Sequence, residues 1–507
     1  MLPVLTAQAM HELDAAAVAR DGEVELMRRA GKAIAQLVRA MCSHGRIVAL
    51  AGYGNNGGDA LAALAELDAS YERIAIAFDP GERVSDARRD ALARARARGV
   101  TIIAASDAAR ETYLTRPHFF LDGLLGVGAR AGMSDDLRRL TGALNRSGGT
   151  VLALDVPTGV DATTGVAEDD AVVAAATIAI GAMKLGLLLE PARPYVGALW
   201  LDDIGMSAPA LATSTSPEYF ALDEASAHAL LPRRKAEGDK RTSGAPLVIA
   251  GSEQFPGAAV LCTHAAARAG AGYVTLATPR SAAQSIRAHL IEQVVVPFDE
   301  SNSERATQEI LDVAKRCSSI AIGPGLGLDE NIGTIVRSVI SATSLPLVID
   351  ASGLFHLAKH LDILRGKLAV LTPHAGEFAR LSGGGSVTPT TRLTRLRAFV
   401  GEHGIVTLLK GQATLIDDGR RVAVNVTGTS ALATAGTGDV LTGIIATLLA
   451  QGLSPFDAAT LGAYWHGLAG QFAARQRPIG VIAGDLPEVL ADSAPQRRTL
   501  SAPLRIF

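Results

Sequence analysis

The run IVALAGYGNNGGDALAAL (residues 47–64) decides how the first half of the chain folds. Ile47 to Ala51 form a short apolar segment that reads as a buried strand, and the small and polar residues after it read as a tight turn. From Asp59 onward the Ala/Leu-rich pattern is helical. A strand that passes through glycines into a helix brings backbone N–H groups and the positive end of a helix dipole to one place, where a phosphate can be held. The loop is not the dinucleotide fingerprint, because its spacing differs and Asn55, Asn56 and Asp59 bring polar side chains among Gly57 and Gly58. Taken alone, the loop reads equally well as a simple turn.

Outward from this run the pattern repeats. Before it, apolar residues recur at helical spacing over residues 6–41, with a break near Asp21-Gly22 that predicts two helices. After it, RIAIAF, FFLDGLLG, VLALDVP and ATIAIG alternate with Ala-, Arg- and Leu-rich stretches, as in a parallel sheet wound with helices. A second series opens with PLVIAG and continues through YVTLATP, SIAIGPG, PLVIDA, LAVLTP and VTLLKG. Between the series lies SAPALATSTSPEYF, of weak periodicity, which places a boundary within 206–222. The fold class expected is therefore α/β with two domains, at residues 1–210 and 222–500. A chain of 507 residues is too long for one core, which agrees.

Composition excludes several functions. A net charge of −3 offers no basic face for a nucleic-acid backbone. Cys42, Cys262 and Cys317 are isolated, giving neither a disulfide framework nor a zinc-ligand spacing, which suits a reducing compartment. The N-terminus lacks the pattern of a cleaved signal, and the longest apolar run, residues 171–183, is too short to span a bilayer. A cytoplasmic protein with small-molecule partners, no nucleic acid and no membrane is expected.

Two further strand ends carry polar turns: LDGLLGVGARAG with Asp122, and LALDVPTGVDATTG with Asp155 and Thr158. In open α/β sheets ligands collect at the carboxyl ends of strands, so three such loops are expected to converge. Asp155 directly follows an apolar strand and is the candidate acid/base. Together these segments, over about residues 6–205, resemble the NAD(P)H-hydrate epimerases, which have a Rossmann-like three-layer fold. The resemblance implies that Asn55, Asn56, Gly57, Gly58 and Asp59, with Gly126, Val127, Gly128, Ala129, Arg130, Ala131 and Gly132, hold the hydrated cofactor beside Asp155. It also implies a potassium ion on Asn56, Asp122 and Thr158. Ala60, Gly123 and Thr158 depart from the family's Gly, Ala and Ser. The chemistry implied is inversion at C6 of the hydrated ring, by ring opening or hydroxyl loss, with a carboxylate moving a proton.

In the second half, ATAGTGDVLTGIIATLLAQG puts Gly436-Thr437-Gly438-Asp439 before a strongly apolar helix, where free N–H groups attract negative charge and an aspartate can act as base. Read alone, Asp439 is as readily an N-cap. The strings GSEQFPGAAVLCTHAAARAGAGYV, AIGPGLG, VIDASGL, LTPHAGEF and LLKGQATLI follow in the order found in the nucleotide-dependent NAD(P)H-hydrate dehydratases, which this half resembles over about residues 223–490. The resemblance implies a ribokinase-like fold, with Ala258, Gly327, His374 and Asp439 on the hydrated cofactor. Lys410, Gly411, Gln412, Ala413, Thr414 and Gly438 are implied on the nucleotide, with ADP and Mg²⁺ as co-substrate and metal. Ser352-Gly353, Ala435 and the segment DKRTSGAP depart from the family's pattern. By resemblance, NADHX and NADPHX are the substrates, AMP and phosphate are released, and a homo-oligomer is expected. A ribokinase-like vitamin kinase, and a non-catalytic binding module in the first half, are the competing readings.

Overall fold

The computed structural model describes residues 1–79, 84–128, 132–206, 218–234, 237–496 and 503–507. It divides into two compact units, Leu2–Phe220 with Thr499–Phe507, and Ala221–Arg498 with Met1. Most of the stretch in which composition put the boundary, residues 207–217, lies outside the described residues.

In the first unit two helices, Ala7–Asp21 and Glu23–Met41, are separated by Gly22 at φ +81°, a backbone that glycine adopts without strain. The strands are β1 (Leu2–Leu5), β2 (Gly45–Ala51), β3 (Tyr71–Ala77), β4 (Thr101–Ala104), β5 (Phe119–Gly123), β6 (Thr150–Leu154), β7 (Ala176–Ile180), β8 (Met183–Lys184), β9 (Ala198–Asp202) and, at the far end of the chain, β20 (Leu504–Arg505). The main sheet runs β20-β9-β7-β6-β5-β2-β3-β4, parallel except for β20 against β9. Successive side chains of a strand point to opposite faces. Accordingly Ile47, Ala49 and Ala51 join a core with Leu26, Ile34 and Leu61, while Val48 and Leu50 join another with Leu140 and Leu144. Both faces of the sheet are covered, giving three layers. From β2 the chain winds outward through β3 and β4, then returns to β5 on the other side. The gap between the ends of β2 and β5 is thus the switch point at which such sheets bind ligands.

After a short β10 (Tyr219–Ala221), the second unit contains β11 (Pro246–Ile249), β12 (Thr275–Pro279), β13 (Val294–Phe298), β14 (Ser319–Ile322), β15 (Leu347–Ile349), β16 (Ala369–Leu371), β17 (Val406–Leu409), β18 (Leu415–Asp417) and β19 (Val422–Val424). Their order is β13-β12-β11-β14-β15-β16-β17-β18-β19, parallel as far as β17 and antiparallel beyond it. Here the switch point lies between β11 and β14. The apolar helix Thr437–Ala450 packs on the helix Pro256–Arg268 so closely that a Cβ at Gly443 would come within 2.2 Å of the Cys262 carbonyl oxygen. Among the described residues no helix is long and apolar enough to cross a membrane.

Candidate active sites

The first site is built by the loops after β2, β5 and β6. The helix Asn55–Glu66 begins at Gly54 with no side-chain cap, which leaves its first-turn N–H groups available. Asn56 ties the three loops together by donating from Nδ2 to the carbonyls of Leu125 (2.9 Å) and Leu154 (3.0 Å). Its buried Oδ1 has no partner. Asp122, wholly buried at the end of β5, accepts from the Thr158 amide (2.8 Å), the Thr158 hydroxyl (2.7 Å) and the Leu124 amide (3.3 Å). Burial nevertheless pushes its carboxyl up to about 6. Beneath the loop the buried Arg88 donates twice to the Gly52 carbonyl, at 3.1 and 2.8 Å, and once to that of Phe78. A Cβ at Gly57 would lie 2.2 Å from that Gly52 oxygen, so only glycine fits.

A cavity of about 570 Å³ opens above these loops, lined by Asn55, Asn56, Asp59, Gly126, Val127, Gly128 and Asp155, and also by Met10, His11, Asp14 and Val18 of the N-terminal helix. Asp155 leaves β6 in a left-handed backbone, φ +69°. Its Oδ1 accepts from the Ile180 amide (3.3 Å) and from the ammonium of Lys184, which is fully buried and also donates to the Ile180 carbonyl at 2.6 Å. Burial, reinforced by the negative charges of Asp155 and Asp14, holds Asp59 well above the usual carboxylate range. Burial likewise lifts Asp14 to about 6, with Lys184 pulling down and Asp155 pushing up. An aspartate paired with an ammonium, next to two carboxyls that burial pushes up, brings groups able to give and take protons into one cavity.

Not every residue named from the sequence meets the cavity. Gly57 and Gly58 lie behind it, Gly58 against the Met27 side chain, and Gly132 sits beside the Glu168 carboxylate. Ala129, Arg130 and Ala131 fall outside the described residues. Lys184 and Asp14 were not singled out from the sequence, although each is a charged residue set into an otherwise apolar pattern.

The second site gathers around Asp439. Gly436, at φ +90°, caps the helix Thr437–Ala450 without a side-chain bond, and Asp439 occupies the third helical position. The N-cap reading of Asp439 therefore fails, because its carboxylate is free to face the site. Burial first, then the nearby Asp350 and Glu377 against the opposing Lys410, push it up to about 7. Lys410 donates to Asp350 Oδ1 at 2.8 Å, and Thr442 donates to Asp350 Oδ2 at 2.8 Å. Burial works against the Lys410 ammonium, but Asp350 and Glu377 outweigh it and hold its pKa above the ordinary lysine value. Gly438 lies over this pair: a Cβ there would be 3.3 Å from Lys410 Nζ.

The loop after β17 is set by Arg392, which donates to the carbonyls of Leu409 (3.1 Å) and Lys410 (2.9 Å) and leaves no room for a Cβ at Gly411. Gln412 is exposed, Ala413 buried, and Thr414 donates to the Gly411 carbonyl. His374 caps the helix Ala375–Leu381 with Nδ1, while Glu377 accepts from the His374 amide at 2.9 Å. Its imidazole is exposed and reaches the cluster through Glu377, 3.6 Å from Nε2. Ala258 packs against the Gly325 turn, and Gly327 is held by the Ser352 hydroxyl (3.2 Å) and by His356, whose ring nitrogen lies 3.1 Å from its carbonyl. Asp350 was missed, although it ends an apolar strand in VID just as Asp155 does in LALD. His466, buried beside Thr437 and pushed down to about 4 by burial, was missed too.

Comparison with known proteins matches both halves. The NAD(P)H-hydrate dehydratase family matches residues 246–492, and the family described as the YjeF-related protein N-terminus matches residues 23–186. The chain is 35% identical to a bifunctional NAD(P)H-hydrate repair enzyme of Pyrobaculum aerophilum over 478 residues, 92% of each chain. It is 34% identical to that of Mycobacterium leprae over 509 residues, 98% of each. Among solved structures, an ADP/ATP-dependent NAD(P)H-hydrate dehydratase from Bacillus subtilis, crystallised with ATP and Mg²⁺, is 31% identical. It covers 54% of this chain and 96% of its own, with a TM-score of 0.47.

Proposed function

Because the chain belongs to the bifunctional NAD(P)H-hydrate repair enzymes, we propose that its first unit interconverts the R and S hydrates of NADH and NADPH and its second removes water from the S hydrate at the expense of a nucleotide. We assign the epimerase to residues 1–210 and the dehydratase to 222–500. The observation that carries the reading is the presence of two separate switch-point sites, each with its own acid–base carboxylate, Asp155 and Asp439.

In the epimerase, Asn55, Asn56, Asp59 and the Gly126–Gly128 turn hold the hydrated cofactor, and Asp155, paired with Lys184, takes a proton from the C6 hydroxyl. A potassium ion fits Asn56, Asp122 and Thr158: Asn56 Oδ1 is a buried acceptor with no donor, and the Asp122 carboxylate is enclosed beside the Thr158 hydroxyl. Such a cation would join the three loops and lower the cost of burying Asp122.

In the dehydratase, Lys410 to Thr414 and Gly438 hold the nucleotide, with Lys410 meeting a phosphate as a point charge. Ala258, Gly327 and His374 hold the hydrated cofactor. Asp439 takes the proton of the C6 hydroxyl as the terminal phosphoryl group is transferred to its oxygen, and the open N–H groups after Gly436 meet the charge that develops. The ring nitrogen then pushes its electron pair toward C6, the C6–O bond breaks, phosphate leaves, and loss of a C5 proton completes the dihydronicotinamide; ADP gives AMP and phosphate. Magnesium would be brought with the phosphates, and Glu377, beside Lys410, is a carboxylate that could meet it.

The test is the pure S hydrate of NADH with ADP and Mg²⁺. Recovery of dihydronicotinamide absorbance with equimolar phosphate supports the reading. A stable phosphorylated product would instead point to a kinase.

A further inference from the structure

We propose that Asp14, on the N-terminal helix Ala7–Asp21, is a second catalytic acid–base group of the epimerase, giving the substrate one proton while Asp155 removes another. The proposal rests on the epimerase reading above and extends it to a residue outside the glycine loops.

Inversion at C6 must balance its protons. If the hemiaminal at C6 opens, Asp155 takes the hydroxyl proton and the C6=O bond forms. The C6–N1 bond breaks with its electron pair going to N1, which must be protonated. Rotation about C5–C6 presents the opposite face; closure then reverses each transfer, so atoms and protons balance with no co-reactant. A single carboxylate fixed in one place serves the oxygen. N1 needs a proton donor of its own, a second group in the same cavity.

Geometry selects Asp14. Met10, Asp14 and Val18 recur every four residues, so they share one face of the helix, and all three line the cavity that Asp155 also lines, with Asp14 near enough to Asp155 and Lys184 to feel their charges. Among the described residues no hydrogen bond is donated to the Asp14 carboxyl, which is half-buried between Met10 and Val18 on its helix face, a placement that costs free energy without a hydrogen-bond partner.

The charged and titratable groups around it are Lys184 and Asp155 beneath, His11 on its own helix, and Asp59 and Glu23 from the neighbouring helices. Glu23 is engaged by the Asn55 amide at 2.6 Å. Burial holds Asp59 well above the usual carboxylate range. Asp14, at about 6, both gives and takes a proton near neutral pH.

The experiment follows conversion of pure R hydrate to S by the full chain without ADP, for wild type, Asp14→Asn, Asp14→Glu and His11→Asn, from pH 5 to 9. Calorimetric unfolding of each variant reports on the fold of the first unit. Asp14→Asn is expected to lower kcat about 100-fold or more with KM little changed and to abolish the pH limb near 6. Asp14→Glu, which keeps the carboxyl, is expected to recover part of the rate with a displaced limb. Epimerisation by Asp14→Asn within about threefold of wild type, or loss confined to KM, or an unchanged pH limb, would overturn the proposal. So would loss in His11→Asn alone. Wild type no faster than the uncatalysed blank would instead sink the epimerase reading and this inference with it.

Discussion

Lys184 is fully buried, and its ammonium meets the carboxylate of Asp155, the residue that leaves β6 in a left-handed backbone. The lysine alone would pay a large desolvation cost, which the paired aspartate offsets. Replacing Lys184 by Met is expected to lower epimerisation about 100-fold or more while the dehydratase rate stays within twofold. The first unit should lose about 1–3 kcal/mol, less than a wholly buried pair because Asp155 keeps some solvent. Calorimetry together with the two separate assays checks both parts.

Potassium should stabilise the first unit. At equal ionic strength, thermal unfolding in KCl is expected to be several degrees higher than in choline chloride, since an ion at 100 times its Kd contributes about 2.7 kcal/mol. Asn56→Ala and Asp122→Asn should remove the difference. A wild type indifferent to potassium would exclude the site.

Asp439 gives the dehydratase a pH dependence with a defined sign. As a base it must be ionised, so kcat/KM for the S hydrate should rise with pH and level off above about 7. The same shift costs stability: a carboxyl at about 7 when folded and about 4 when unfolded favours the fold fully only below pH 4, and that contribution is lost as pH rises through 7. Asp439→Asn should therefore be inactive yet more stable than wild type at pH 8, by on the order of 1 kcal/mol. An Asp439→Asn that is less stable at pH 8 would contradict the burial argument.

Asp350 acts through its neighbours, fixing Lys410 and Thr442 and raising Asp439. In Asp350→Asn the acid limb of the dehydratase should move to lower pH, because a negative charge next to Asp439 is gone. Its KM for ADP should rise several-fold as Lys410 loses its anchor. An unmoved limb would remove Asp350 from the electrostatic account.

Much of this was legible in the sequence where one local rule decided the outcome. Ile47–Ala51 is apolar on both faces and became a central strand, and Gly22 and Gly436 took the positive φ that breaks or starts a helix. Short strands with exposed or mixed residues, such as β4 (TIIA) and β13 (VVVPF), left too weak a pattern to be found. At the sites, residues inside recognisable loops were found, but Lys184, Asp14 and Asp350 were not. Their significance comes from neighbours 29 to 170 positions away in sequence that only the folded sheet brings near: Lys184 from Asp155, Asp14 from Asp155 and Lys184, and Asp350 from Lys410 and Thr442.

The central claim, two activities at two independent sites, is tested most directly by complementation. An equal mixture of R and S hydrates is incubated with ADP, Mg²⁺ and K⁺, and recovery of dihydronicotinamide absorbance is followed. Wild type should recover all of it, Asp439→Asn none, and Asp155→Asn half quickly and the rest only at the spontaneous epimerisation rate. Asp155→Asn and Asp439→Asn mixed in one tube should restore full, rapid recovery, because the S hydrate made by one chain is dehydrated by the other. A mixture that still stalls at half would contradict the assignment of epimerisation to Asp155 and dehydration to Asp439.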